Sequence, residues 1–298
     1  MFSVVKNVFL VPVLLTGRDV DRYFQGRITQ DARGLGEAES RQALILSPQG
    51  KIEGKFSFSK VAEGTLLLAE VSDSYSLLNF ISSLFRFKVA DDVVATDKSS
   101  ELDVYTLFSF ESLDHTQFEK LISLGVIVRP LKRANLYCVD LLIPRTLSEE
   151  ELSKHLTLQI SSYNDFDLQR IKAGYPLLGR DISDSTVAPD IDLTDYVSFK
   201  KGCYAGQEVV EMSIARGRPN RALAKLTLEG ALSEDFDMKF YDESLENNVG
   251  FITSHAFDGE KNVTYALGYI KAKYEPVERA YFKESSSVLN VEKVFSSM

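Results

Sequence analysis

The chain reads as an α+β protein with antiparallel sheets, followed by a smaller all-β unit. Three observations lead there. Over residues 7–87 the order is strand, helix, strand, strand, helix, which suits sheets covered by helices on one face. From Ala222 onward short strands alternate with glycine and polar turns, the pattern of a small β-barrel or sandwich that begins near Pro219. At 298 residues the chain is long enough for two or three domains, and the boundary predicted here divides it into 1–218 and 219–298.

Each element has a local reason. Residues 7–15 form an apolar, β-branched run and read as a buried strand. Thr16-Gly17-Arg18-Asp19 breaks that run, and Asp19 suits the N-cap of a helix through Gln25. Residues 41–47 read as a strand closed by the turn Pro48-Gln49-Gly50. Residues 56–59 alternate, and residues 65–71 form a further strand. Residues 75–87 carry Leu77, Leu78, Ile81, Leu84 and Phe85 at helical spacing. Residues 104–110 and 136–143 are strands. Ser148-Glu149-Glu150-Glu151 has the form of a helix start. Residues 166–173 read as a helix ended by Gly174. Beyond Pro219, residues 224–228, 249–254 and 266–270 are short strands.

Composition excludes several functions. The net charge is −9, which argues against broad, non-specific nucleic-acid binding. Two cysteines are too few for a disulfide framework, and too few to hold an iron–sulfur cluster that wants four ligands. The three histidines stand singly, away from zinc-site spacings. The first residues lack a signal-peptide pattern, and no apolar run reaches membrane-spanning length. The expectation is a cytoplasmic protein that acts as a monomer and has no membrane or metal site.

The most informative stretch is Lys200-Lys201-Gly202-Cys203-Tyr204-Ala205-Gly206-Gln207-Glu208. Two glycines flank a thiol, two lysines precede it, and a helix is predicted over 207–214. Ammonium groups and a helix N-terminus both favour a thiolate, so a lowered pKa is expected for Cys203. Gly202 and Gly206 leave room for a partner or permit positive φ. Composition alone favours a plainer reading, a tight turn with a small buried cysteine.

The stretch Lys201-Gly202-Cys203-Tyr204-x-Gly206-Gln207-Glu208 resembles the signature of the YgfZ/GcvT family. Other matching motifs follow the same order. They are Leu15-Thr16-Gly17-Arg18-Asp19, then Phe24-Gln25-Gly26-Arg27-Ile28-Thr29-Gln30-Asp31, then Arg170-Ile171-Lys172-Ala173-Gly174-Tyr175-Pro176. Near the end stand Val249-Gly250-Phe251-Ile252-Thr253-Ser254 and Ala266-Leu267-Gly268-Tyr269-Ile270. The resemblance covers nearly the whole chain. It implies two aminomethyltransferase-like, folate-binding α+β lobes and a C-terminal β-barrel, with tetrahydrofolate between the lobes. It also implies a role in assembling or repairing iron–sulfur client proteins, with an indirect effect on tRNA modification. Cys203 would be the functional thiol, and Arg170 would pair with the folate carboxylate tail.

The chain departs from the transferase pattern. Gly54 and Lys55 stand where aminomethyltransferases carry an acidic pair. Glu53 is one residue out of register and is read as a solvent-facing carboxylate. Arg133-Ala134-Asn135-Leu136-Tyr137-Cys138-Val139-Asp140 replaces the segment whose glutamate pairs with the pterin. Plainer roles stand beside the functional ones. Arg170 can form an internal ion pair with Asp165 or Asp167. Glu208 can cap its own helix. Cys138 is a core residue. Arg216, Arg218 and Arg221 form a basic cluster that is either solvated surface or a phosphate or polyglutamate contact. The competing functions are a folate-dependent iron–sulfur maintenance factor, a one-carbon transferase, and a folate-binding scaffold in which Cys203 is structural.

Overall fold

A computed structural model describes residues 3–36, 39–112, 118–147, 150, 154, 159–216, 219–233, 236–283 and 287–293. Of the expected helix start near Ser148, only Glu150 lies among them. The chain folds into two sheet-and-helix lobes and a closed six-stranded barrel. This is the predicted α+β architecture with a C-terminal β-barrel.

The first lobe holds β2 (Leu10–Thr16), α1 (Val20–Arg27), β3 (Ser40–Leu46), β4 (Ile52–Val61), β5 (Gly64–Glu70), α2 (Leu77–Leu84) and β6 (Val94–Asp97). Its antiparallel sheet runs β3-β4-β5-β2-β6. Both helices cover one face of that sheet, where Phe24, Phe56, Phe58, Phe80 and Leu84 form the core. Asp19 is the N-cap residue of α1, but its carboxylate accepts from the Asp92 amide instead of capping.

The second lobe holds β1 (Ser3–Lys6), β7 (Leu102–Ser109), α3 (Glu119–Ser123), β8 (Ile127–Arg133), β9 (Leu136–Pro144), β10 (Gln159–Ile160) and α4 (Tyr163–Ala173). Its sheet runs β10-β1-β7-β9-β8. The pairing of β1 with β10 is parallel; the other pairs are antiparallel. Of the strand expected over 7–15, residues 10–15 form β2 of the first lobe; residues 7–9 lie between it and β1, which sits in the second sheet. Asn7 makes the break: its amide N–H donates to the Val104 carbonyl, and its side chain bonds the Thr106 hydroxyl and the Phe9 amide. Leu10, Leu66 and Leu68 of the first sheet pack against Val104 and Leu142 of the second, which holds the lobes together.

α4 starts three residues earlier than expected because Ser162 and Asp165 form a reciprocal capping box. It ends at Gly174, which takes the left-handed conformation at φ 84°. After α5 (Gln207–Arg216) come β11 (Arg221–Glu229), β12 (Lys239–Tyr241), β13 (Asn248–Asp258), β14 (Val263–Lys271), β15 (Arg279–Tyr281) and β16 (Val288–Lys293). They close as β11-β14-β13-β12-β15-β16, with β16 returning to β11. α4 packs against β13 and β14, and Lys172 pairs with Asp258 at 2.6 Å. Among the described residues, no helix is long and apolar enough to cross a membrane.

Candidate functional site

The segment between α4 and α5 is mostly turns, so its backbone must find partners elsewhere. The first lobe supplies them through the strip Gln25 to Gln30. Thr29 Oγ1 donates to the Tyr196 carbonyl at 2.7 Å, and the Ser198 amide donates to the Thr29 carbonyl at 3.1 Å. Gln30 Nε2 donates to the Asp195 carbonyl. The Lys201 ammonium donates to three carbonyls, those of Gln25, Ile28 and Gln30, at 2.7, 2.6 and 2.9 Å. These lie at the C-terminal end of α1, where unpaired carbonyls and the helix dipole favour a cation. Burial nevertheless lowers the Lys201 pKa to about 8.

The rest of the signature continues this anchoring. Tyr204 is buried in a core shared with Leu44, Leu46 and Val210. Gly206 has φ +84°, and a Cβ there would stand 2.5 Å from the Ser47 carbonyl oxygen. Only glycine satisfies both the angle and the approach. Gln207 Oε1 accepts from the Tyr204 amide, and its Nε2 donates to Glu211 at 2.5 Å. Val209 of α5 packs on Gly50 in the β3–β4 turn. Gly202 and Cys203 are exposed between these buried anchors, and nothing lies within 4 Å of a Cβ placed at Gly202. The composition-only reading of a buried Cys203 is therefore replaced by a presented thiol. Glu208 is exposed on α5.

Several expectations change. Lys201 was expected to stabilise the Cys203 thiolate, but its charge is held by three carbonyls of the first lobe. Lys200 is exposed, and three residues separate Cys203 from the first residue of α5. Arg170 was expected to meet a ligand carboxylate. It is instead fully buried: its Nε donates to Asp167 at 2.7 Å and its Nη1 to Asp181 at 2.5 Å. Asp165, the other partner considered, serves the α4 cap. Asp181 also accepts from the Leu177 amide and from the Thr253 and Ser254 hydroxyls of β13. The arginine thus braces α4 against the barrel. Arg221 pairs with Asp190 at 2.8 Å and lies over the Tyr269 ring, so it is not a loose surface cation. The Arg216 side chain and Arg218 lie outside the described residues. Glu53 is not a solvent-facing carboxylate: it pairs with Arg86 at 2.7 Å and lies 3.7 Å from Arg27.

Where the two sheets meet, the chain builds a buried polar network that sequence reasoning missed. Lys55 is 1% exposed, and its ammonium donates to Glu70 at 2.5 Å. Glu70 also accepts from the Tyr175 hydroxyl at 3.2 Å and the Leu178 amide at 2.9 Å. The Tyr175 ring lies 3.7 Å from the Lys55 ammonium and 5.8 Å from the Arg133 guanidinium. Arg133 pairs with Asp140 through both of its terminal nitrogens, at 3.0 and 2.6 Å. Burial lowers the Lys55 pKa to about 8, against the pull of Glu70, and raises the buried Cys138 thiol to about 11. No element of sequence periodicity marks Glu70 or Asp181 as a hub, because their partners lie in other segments.

This network also tests the fit of tetrahydrofolate between the lobes. The segments expected to receive the ligand, around Lys55 and over Arg133 to Asp140, instead pair internally. Tyr175, Tyr196 and Cys138 are buried with them. Arg170, expected at the carboxylate tail, already faces two aspartates. The residues present do not fit a pterin at this junction.

No family model matches the chain. It is 25% identical over 248 residues to the tRNA-modifying protein YgfZ of Colwellia psychrerythraea, spanning 80% of this chain and 74% of that relative. It is 26% identical over 228 residues to the protein of the same name from Yersinia enterocolitica, spanning 71% of this chain and 66% of that relative. Its fold superposes on the glycine cleavage system aminomethyltransferase T of Bartonella henselae with a TM-score of 0.79, at 16% identity, over 98% of this chain and 85% of that one. The chain is YgfZ/GcvT-like. The aminomethyltransferase-like fold with its closed C-terminal barrel, expected from the motifs, is the fold observed. Among the described residues of this YgfZ/GcvT-like chain, no group of three histidine, cysteine or acidic side chains stands together as a metal site.

Proposed function

We propose that this YgfZ/GcvT-like chain is a maintenance factor for iron–sulfur client proteins that acts through the Cys203 thiol. One observation carries the reading: Cys203 is exposed while Lys201 and Tyr204 on either side of it are buried. A thiolate is the form that binds iron or attacks another sulfur, and it needs access more than it needs a pocket. One exposed thiol does not house a cluster that wants four ligands, so the client supplies the rest. The relatives' tRNA-modifying name fits an indirect effect through a client, since the net charge of −9 opposes broad RNA binding. The iron–sulfur and thiol parts of the reading rest on the motif resemblance and on this exposure. Tetrahydrofolate has no step in it, because the lobe junction is filled by the chain's own side chains. A one-carbon transferase draws on the fold alone, and Lys55, buried against Glu70, stands where that chemistry would want an acid.

The test uses a deletion strain complemented with wild-type or Cys203→Ser protein, with client enzyme activity as readout. The serine variant should fold and fail to restore activity. Alkylation of the purified protein at neutral pH should label Cys203 before Cys138, which is buried and raised to about 11. Full complementation by the serine variant, or labelling of Cys138 first, refutes the thiol role.

A further inference from the structure

At the start of β11 the barrel core borders a cavity of about 320 Å³, lined by Ala222, Ala224, Ile270, Val291 and the turn at Pro276 and Val277. Apolar side chains make up most of that lining. Such a void forfeits dispersion contacts, and it offers water few polar partners. β16 runs antiparallel to β11, with Val291 opposite Leu226 and Lys293, its last described residue, opposite Ala224. β11 itself extends past that point to Leu223, Ala222 and Arg221, where β14 is still paired with it on the other side.

Side chains alternate along a strand, and residues opposite each other on neighbouring strands share a face. Ala224, Leu226 and Leu289 belong to the barrel core, and Val291 packs against it. The core face of β16 is thus that of Leu289 and Val291, and the same parity reaches position 295. Continued without a slip, the pairing sets Val294 opposite Leu223 and Phe295 opposite Ala222. Ala222 has Ile270 of β14 across from it on its other side. An alanine between two large neighbours leaves room that an aromatic ring can take. Val294 falls on the opposite face beside Leu223, which is buried in a core with Tyr204 and Val210. Both apolar residues then meet apolar neighbours, and the polar pair Ser296-Ser297 follows them. A slip of one residue would turn Phe295 out of the barrel.

We propose that Val294 and Phe295 extend β16 along β11 and that the Phe295 ring fills the cavity, closing the barrel over its own core. The chain's own segment is the occupant because it leaves Lys293 beside the cavity. Phe295 is two residues further on, and a strand advances about 3.3 Å per residue. That brings it level with Ala222 with no loop to close. The proposal goes beyond the thiol reading and does not depend on Cys203.

The chain contains no tryptophan, so Phe295→Trp supplies a single indole reporter. Its emission should be blue-shifted, and several-fold less open to acrylamide quenching than that of Ser297→Trp. Phe295→Ser should lower the thermal midpoint by several degrees, and Ser297→Ala should leave it unchanged. In the wild-type chain, at least one amide of residues 294–296 should exchange about tenfold or more slowly than in the unfolded protein. Those amides decide the matter if the larger indole does not fit: exchange of all three at the unfolded rate overturns the proposal. So does a Phe295→Ser midpoint equal to that of wild type. Protection that rises with protein concentration overturns it too, because a second copy then supplies the ring. None of these results touches the Cys203 complementation test.

Discussion

Replacing Gly206 with alanine should unseat the loop that carries Cys203, whereas replacing Gly202 should not. The two glycines flank the same thiol and look alike in the sequence. At Gly206 the backbone sits at φ +84°, which costs an L-residue about 1–2 kcal/mol. The new Cβ would also stand 2.5 Å from the Ser47 carbonyl oxygen and 2.9 Å from Leu46 Cβ. The nearest atom is backbone and cannot rotate away, and overpacking of this kind costs about 1–3 kcal/mol. Together these give about 2–5 kcal/mol, a large share of the roughly 5–15 kcal/mol that holds a typical native protein. At Gly202 a Cβ meets open space, so Gly202→Ala should stay within about 0.5 kcal/mol of wild type. Urea unfolding midpoints measure the totals. Amide exchange across residues 201–210 measures local loosening, which should rise sharply in Gly206→Ala and stay at the wild-type level in Gly202→Ala. Equal protection in the two variants would refute the reasoning, because it would mean the loop is not held by its contact with the end of β3.

The buried ion pair gives a second contrast. Lys55→Met leaves Glu70 without its cation at 2% exposure and should cost about 3–5 kcal/mol, while Lys55→Met with Glu70→Gln should regain most of it. Urea midpoints of the single and double variants decide this, and an unharmed single variant would remove the network's structural role. Stability should also rise as pH increases from 8 to 9. Lys55 and Lys201 both titrate near 8 when folded, below their unfolded value of 10.5, so in that window the unfolded chain binds more protons. The buried Cys138, raised from 9.0 to about 11, opposes this only from about pH 9 upward. A midpoint that falls between pH 8 and 9 would show that these ammonium groups are not held in the desolvated state described.

Much of the fold was legible because it rests on local patterns. The strand at 65–71, the helix around Leu77 to Leu84 and the Gly174 stop all depend on periodicity and on one residue's φ. The barrel was legible from its spacing of short strands. The gap at residues 7–9 was not, since Val8 and Phe9 read as part of the apolar run and only the pairing of β1 and β2 with different sheets shows that the chain passes between lobes there. The start of α4 was readable and missed: Ser162 and Asp165 have capping-box spacing. The site divides in the same way. Motif spacing picked out Cys203 and its flanking residues, yet the same spacing suggested Lys201 as the thiol's counter-ion. Its three carbonyl partners lie more than 170 residues away in sequence. Arg170 looked like a ligand arginine because Asp181, its second partner, carries no local signal.

The motifs that looked like separate family fingerprints are the two sides of single contacts. Gln25 to Gln30 receives the loop through Thr29, Gln30 and the carbonyls that bind Lys201. Arg170 meets Asp181, which in turn holds Thr253 and Ser254 from the barrel motif. The Gly50 turn seats Val209 of α5, and Gly206 seats against Ser47. Every one of these contacts fixes the position of the loop or the lobes beneath it, and none requires the sulfur of Cys203. A side chain that supports nothing, yet is held at a fixed and exposed place by residues of the first lobe, is free to be selected for its chemistry alone. That is why Cys203→Ser should separate folding from function, and why substitutions at Lys201 or Gly206 should not.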